Sequence, residues 1–405
     1  MKNRLQRATA LLAFTALGLA GCSRDAQDAG ADAGADNKVV KIGVIAPLTG
    51  SLSAFGAGIK NSVDLAVKQA NDSGRLKGWT IVLDPQDDAS KAETGAAAAT
   101  KLASDPAVAG VIGTLNSSTA QQTAPILNRE KIAQISPANS NPSLTRGNDY
   151  ATSPKRLTDT YFRLCANDLV QGPFLADYAY KTAGLKKVVT VHDTKSYGKG
   201  LAETFEQRFT ADGGEVLSRE TISTGDRDFG ALVTKIVSLK PDLVFYGGEH
   251  PEAAPLSKQL GQQGFTGPVI GGDGIQSSEY GPGGGRTGDL ATSFGAPTAK
   301  QAEAKKFVED YEAAKYGEKY EAYGALSYDS ANVLIEAMVK ALGNASDVRS
   351  ARQAIVDAVK ATNHKGVTGT TTFDEFGDTS NKVLTVNKLD GTSWTDVYTG
   401  TFSES

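Results

Sequence analysis

The chain has 405 residues, of which 40% are hydrophobic and 22% charged, with a formal net charge of −4. That length exceeds one ordinary core and the balance is that of a soluble globular chain, so two domains are expected. A mildly acidic total without a basic cluster makes the chain a poor candidate for nucleic acid, where phosphate neutralisation dominates affinity.

Residues 1–21 read as an export leader. Lys2, Arg4 and Arg7 form a positive start, and Ala8–Ala20 is an apolar run of roughly 13 residues, too short to span a bilayer. The run ends in Leu19-Ala20-Gly21-Cys22, which resembles a bacterial lipobox and implies lipidation of Cys22. The alternative is an ordinary cleaved leader beside an incidental cysteine. Removing 1–21 takes away three bases and no acids, leaving −7. Several acyl chains on one residue anchor stably where one chain does not. Residues 22–38 lack large apolar side chains and are expected to be a flexible tether. Beyond the leader no apolar run reaches transmembrane length. With Cys22 lipidated, Cys165 has no disulfide partner, and Phe162-Arg163-Leu164-Cys165-Ala166 suits a small buried residue.

From Val39 short apolar strands alternate with amphipathic helices. Strands are predicted at Val39–Ile45, Trp79–Leu83, Val108–Ile112 and Ile132–Ile135. Between them lie helices over Phe55–Asn71, Ala89–Ala103 and beyond Ser117. The rhythm restarts with strands Val188–Val191, Asp242–Tyr246 and Pro268–Ile270, alternating with helices Gly200–Ala211, Phe229–Leu239 and Glu252–Gln263. Another helix is predicted at Tyr328–Leu342, and the chain from Gly369 reads as β-hairpin material. This alternation predicts an α/β protein with parallel sheets covered on both faces.

Enzyme signatures are sparse. Gly283-x-Gly285-x-x-Gly288 fits a dinucleotide pattern, but no strand feeds it, so a surface loop is the better reading. No Walker A or G-x-S-x-G sequence is present, and His192, His250 and His364 lack metal-ligand spacing. No cofactor or metal is expected. Polar groups collect instead just past the strands, where open α/β sheets bind ligands. Ser117 opens a helix there, suited to an anion or simply to capping. Ala138 and Ser140 lie in a proline-bounded turn after the fourth strand. Tyr197, Glu249 and Asp273 each follow a strand of the second set, and Asp273 could accept from an ammonium group or act as a turn residue.

Those residues carry a resemblance. Lys41-Ile42-Gly43-Val44, Val111-Ile112-Gly113, Ser117-Ser118, Ile135-Ser136-Pro137, Asn141-Pro142, Tyr197-Gly198-x-Gly200, Asp228-Phe229 and Lys240-Pro241-Asp242 stand in the order seen in type I periplasmic binding proteins of the leucine/isoleucine/valine group. The resemblance implies two Rossmann-like lobes with parallel central sheets, joined by a three-segment hinge near 163–168, 295–297 and 366–369. Lobe 1 would comprise 39–165 and 297–366, and lobe 2 would comprise 166–296 and 367–405. It implies that Ser117 and Ser140 hold a ligand carboxylate, that the Ala138 carbonyl and Asp273 hold its ammonium, and that Tyr197 and Tyr323 line the cleft while Phe55 closes it.

Two departures stand out. Glu249 takes the place of an aromatic Tyr, and Asn116 that of a Cys. Glu249 would either meet a polar or cationic ligand side chain or point to solvent at the cleft mouth. The function expected is an exported, lipid-anchored, monomeric binding protein that delivers an amino-acid-like ligand to an ABC permease. The alternatives are a ligand sensor for a membrane receptor, or a binder of a polar or cationic amino acid, amide or polyamine rather than a branched-chain amino acid; an enzyme would need an activated nucleophile or metal that the sequence does not offer.

Overall fold

Strand β1 (Lys38–Ala46) shows why two helical layers form. Val40, Ile42 and Val44 are fully buried on one face, and Ile45 is fully buried among a different set of neighbours. A strand apolar on both sides must lie between two covers. The computed structural model describes residues 38–343 and 345–403, so the expected leader, Cys22 and the tether up to 37 fall outside the described residues.

Helix α1 (Ser53–Asp72), β2 (Trp79–Asp87), α2 (Ala92–Ser104), β3 (Val108–Gly113), α3 (Ser117–Arg129), β4 (Ala133–Ser136), the short α4 (Ser143–Arg146) and β5 (Tyr161–Arg163) follow β1. They build a parallel five-stranded sheet in the order β2-β1-β3-β4-β5. Helices α2 and α3 cover one face through Ala99, Leu102 and Leu127.

The chain then enters a second sheet through α5 (Asp168–Asp177), β6 (Lys187–His192), α6 (Ser196–Ala211), β7 (Glu215–Thr221), α7 (Gly230–Leu239), β8 (Leu243–Gly247), α8 (His250–Gln262), β9 (Val269–Gly271) and β10 (Leu290–Phe294). It returns as α9 (Lys305–Ala313), α10 (Gly324–Leu342) and α11 (Val348–Lys360), and α10 and α11 pack on β3 and β4 of the first sheet. After a two-stranded ribbon of β11 (His364–Gly366) and β12 (Gly369–Thr371), the hairpin β13 (Val383–Asp390) and β14 (Ser393–Thr401) closes the second sheet. Its order is β14-β13-β10-β9-β8-β6-β7. The chain thus passes between sheets three times.

In β8 alternate side chains sort to opposite layers, as the period-two strand requires. Phe245 stacks on Phe205 of α6 at 3.8 Å between centroids, while Val244 and Tyr246 join the cluster beneath α7 and α8. The second sheet departs from an all-parallel one at its end. β10–β13 and β13–β14 pair antiparallel, and a two-residue link with Gly391 at φ +59° returns β14 directly alongside β13. Sequence reading also passed over β5, β7 and β10.

Where the first and third passages meet, Arg163 is fully buried. Its Nε donates to Asp378 Oδ1 at 2.6 Å, and its Nη1 to the carbonyls of Asn139 and Asn141 at 2.9 and 2.8 Å. Asp378 also accepts from Thr145, Arg146 and Asn167. Burial alone would raise the Asp378 pKa, but Arg163 and these donors hold it at about 2. Cys165 is fully buried as a free thiol whose Sγ lies 3.4 Å from the Asn139 carbonyl.

Candidate functional site

The carboxyl ends of the two sheets face a shared small cavity. On the first-sheet side the path is set at Gly113, whose φ of +127° favours glycine and where a Cβ would stand 2.1 Å from the Ile45 carbonyl oxygen. The chain turns there and brings Leu115, Asn116 and Ser117 to the cavity wall. Asn116 occupies the cap position of α3 without capping it through its side chain. The first N–H groups of a 13-residue helix therefore open beside Ser117, a favourable setting for a carboxylate.

Ala138 reaches the same wall from the loop after β4. Ser140, expected on the ligand carboxylate, is not among the residues lining this cavity. It is fully buried, and its carbonyl accepts the Asp168 N–H at 2.9 Å. Arg163 explains the turn: by binding the carbonyls on either side of Ser140, it draws that segment toward the passage between sheets.

On the second-sheet side, Tyr197 lies in the first turn of α6. A Cβ on Gly198 would stand 2.3 Å from the Gly247 carbonyl oxygen, and one on Gly247 would stand 2.0 Å from the Gly198 carbonyl oxygen. Backbone touches backbone at this point, and Tyr197 is held beside Asp273 in the turn after β9. The Tyr197 hydroxyl donates to Asp273 Oδ1 at 2.9 Å, and that of Tyr323, one residue before α10, donates to Oδ2 at 2.7 Å. The Asp273 N–H donates to Gln171 Oε1 at 2.8 Å. Burial raises the Asp273 pKa from the ordinary value, and the bonds from Tyr323, Gln171 and Tyr197 oppose the rise. A carboxylate has about four acceptor positions, so two tyrosines leave room for an ammonium group.

Phe55 of α1 lines the cavity at 1% exposure. Its ring meets Tyr323 edge-on at 5.0 Å and His250 at 5.2 Å, so an aromatic plug spans both sides.

Glu249 does not point to solvent; it is 4% exposed and lines the cavity. Its Oε1 accepts from Asn116 Nδ2 at 2.7 Å, a bond between the two halves, and its Oε2 accepts from Lys195 Nζ at 2.9 Å. Burial would raise the Glu249 pKa, but Lys195, Asp193 and Asn116 bring it below the ordinary value. Asp193 is pushed the other way, to about 8, by burial and by Glu249.

Sequence reasoning missed Lys195, Asp193 and Gln171. Asp193 and Lys195 directly follow β6, so the strand-end argument that found Tyr197 could have found them. Gln171 sits within α5 and carried no such signal. Among the described residues no group of His, Cys, Asp and Glu could hold a metal ion, and no helix is long and apolar enough to cross a membrane.

Comparison with known proteins gives one family. Residues 39–390 match the family described as "Periplasmic binding protein". The Leu/Ile/Val-binding protein homolog 3 of Brucella melitensis is 32% identical over 353 residues, covering 87% of this chain and 91% of that protein. The Leu/Ile/Val-binding protein BraC3 of Rhizobium johnstonii is also 32% identical, covering 86% and 91%. Among solved structures, the leucine binding protein LivK of Thermotoga maritima superposes with a TM-score of 0.79 at 33% identity, covering 89% of this chain and 98% of that one. The branched-chain amino acid transporter substrate binding protein LivJ of Streptococcus pneumoniae, solved in complex with isoleucine, gives 0.79 at 27%, covering 90% and 99%.

Proposed function

The chain belongs to the periplasmic binding protein family, and from that premise we propose that it captures an amino-acid zwitterion between its two halves and delivers it to an ABC permease. One observation carries the reading: Ser117 and Ala138 from one sheet and Asp273 from the other line a single small cavity. A buried zwitterion needs a partner for each charge, since an unpaired buried charge is costly. The Ser117 hydroxyl and the opening N–H groups of α3 would take the carboxylate. Asp273, held by its two tyrosines, and the Ala138 carbonyl would take the ammonium.

Closure follows from the same contacts. Residues 39–165 with 297–366 would form one lobe and 166–296 with 367–405 the other, turning about the three passages between sheets. The Tyr323–Asp273 bond, the Phe55–His250 contact and the bond from Asn141 Nδ2 to the Ser196 carbonyl, at 2.5 Å, join the two sides. Ligand charges that complete the cavity wall would favour the closed form, whose joined face the permease would recognise. No covalent step is involved. Lipidation at Cys22, with 22–38 as tether, would keep the binding body beside the membrane on its outer side.

Isothermal titration tests the charge pairing. An amino acid should bind with a stoichiometry of about one, while the matching amine without carboxylate and acid without ammonium should each bind at least ~100-fold more weakly. Equal binding of the amino acid and either analogue, or binding of none, would refute the reading.

A further inference from the structure

The cavity that would hold the zwitterion also contains hydrogen-bonding groups unused by the charge clamp. Asn116 is 3% exposed and lines it, yet its Oδ1 has no hydrogen-bond partner among the described residues. The amide orientation is fixed by its neighbour, because Nδ2 must face Glu249 to donate the 2.7 Å bond. An NH2 group has two hydrogens, so Asn116 keeps one donor and a whole carbonyl acceptor uncommitted.

The neighbouring charges are already paired with one another. Glu249 is matched by Lys195 at 2.9 Å, and Lys195 Nζ lies 3.6 Å from Asp193 Oδ2. Lys195 thus stands against both carboxylates, and a cationic ligand side chain would have to displace it to reach Glu249. An aliphatic side chain packed against Asn116 would shut its carbonyl away from water without a partner, a penalty that a polar side chain avoids.

Building on the zwitterion reading, we propose that the preferred ligand carries a neutral carboxamide side chain and that Asn116 selects it, its Oδ1 accepting the ligand N–H and its second Nδ2 hydrogen meeting the ligand carbonyl. Glu249 and Lys195 are positioning residues that hold the Asn116 amide in this orientation.

Isothermal titration of the mature chain with glutamine, asparagine, leucine and lysine tests this. Glutamine or asparagine should bind about 100-fold or more tightly than leucine, since a site built to hydrogen-bond a group discriminates against analogues lacking it. Asn116→Leu should weaken carboxamide binding at least ~10-fold and bring leucine level with it, with the unfolding midpoint recorded to confirm a folded variant. Leucine binding as tightly as glutamine in the unaltered protein would overturn the assignment and leave the zwitterion reading intact. Lysine binding tightest would overturn it in favour of a cation opening the Lys195–Glu249 pair. Binding of no amino acid would defeat both readings. The unaltered protein alone decides if Asn116→Leu does not fold.

Discussion

Replacing Asp378 with Asn should expose how strongly the junction beneath the site is held. Arg163 is fully buried, and among the described residues its carboxylate partner is Asp378. Removing one member of a buried pair commonly costs 3–5 kcal/mol, because the other charge is left without compensation. The two backbone carbonyls on Arg163 Nη1 remain, and asparagine keeps an acceptor, so a loss near ~3 kcal/mol is expected. A second route agrees. The Asp378 pKa falls from 3.8 to about 2 on folding, and that difference is worth on the order of 2 kcal/mol. Urea unfolding followed by fluorescence of Trp79 and Trp394 should show a lower midpoint at unchanged slope. The pH dependence carries a sign. Because folding depresses this pKa, the stabilisation is present above 3.8 and lost as pH falls through about 2. The gap between the two proteins should therefore narrow in that window. A loss under ~1 kcal/mol at pH 7, or a gap that stays constant down to pH 2, refutes the argument.

The clamp is open to direct mutation. Asp273→Asn should weaken amino-acid binding roughly 100-fold and Ser117→Ala roughly 10-fold, measured by titration calorimetry; unchanged affinity in both would remove these residues from the ligand. Stability should also fall on the alkaline side. Burial opposes charging of His364, but the nearby Asp329 carboxylate, 3.6 Å from Nε2, and the 3.0 Å hydrogen bond between Nδ1 and Glu336 outweigh burial and raise its pKa from 6.5 to about 9. A raised value means the stabilisation is complete below 6.5 and disappears as pH rises through about 9. His364→Gln should flatten the thermal midpoint across that interval; an equally steep fall in the variant would assign the effect elsewhere.

The first sheet was nearly all legible because its central strands are buried on both faces and bounded by Gly, Pro and Asp. The strand at β3 was read to within one residue of its end for that reason. β7 hid itself as an edge strand, half exposed, with polar residues at five of the seven positions in Glu215–Thr221. β10, only five residues long and preceded by a glycine-rich loop, gave too short a period to register. In the site, position after a strand revealed Ser117, Ala138, Tyr197, Glu249 and Asp273. Phe55 and Tyr323 came from the resemblance alone, since neither follows a strand end. Long-range pairing was invisible: nothing local in Glu249 announces Lys195, and nothing near Ser140 announces that Arg163 binds the carbonyls on either side of it.

The mutual contact of Gly198 and Gly247 has a practical consequence for altering ligand preference. Any side chain at either position would push two main chains apart beside Tyr197, the chain neighbour of Gly198, so mutational libraries should leave both untouched. Diversity belongs at Asn116, Leu115 and Glu249, which line the cavity without forming that seam.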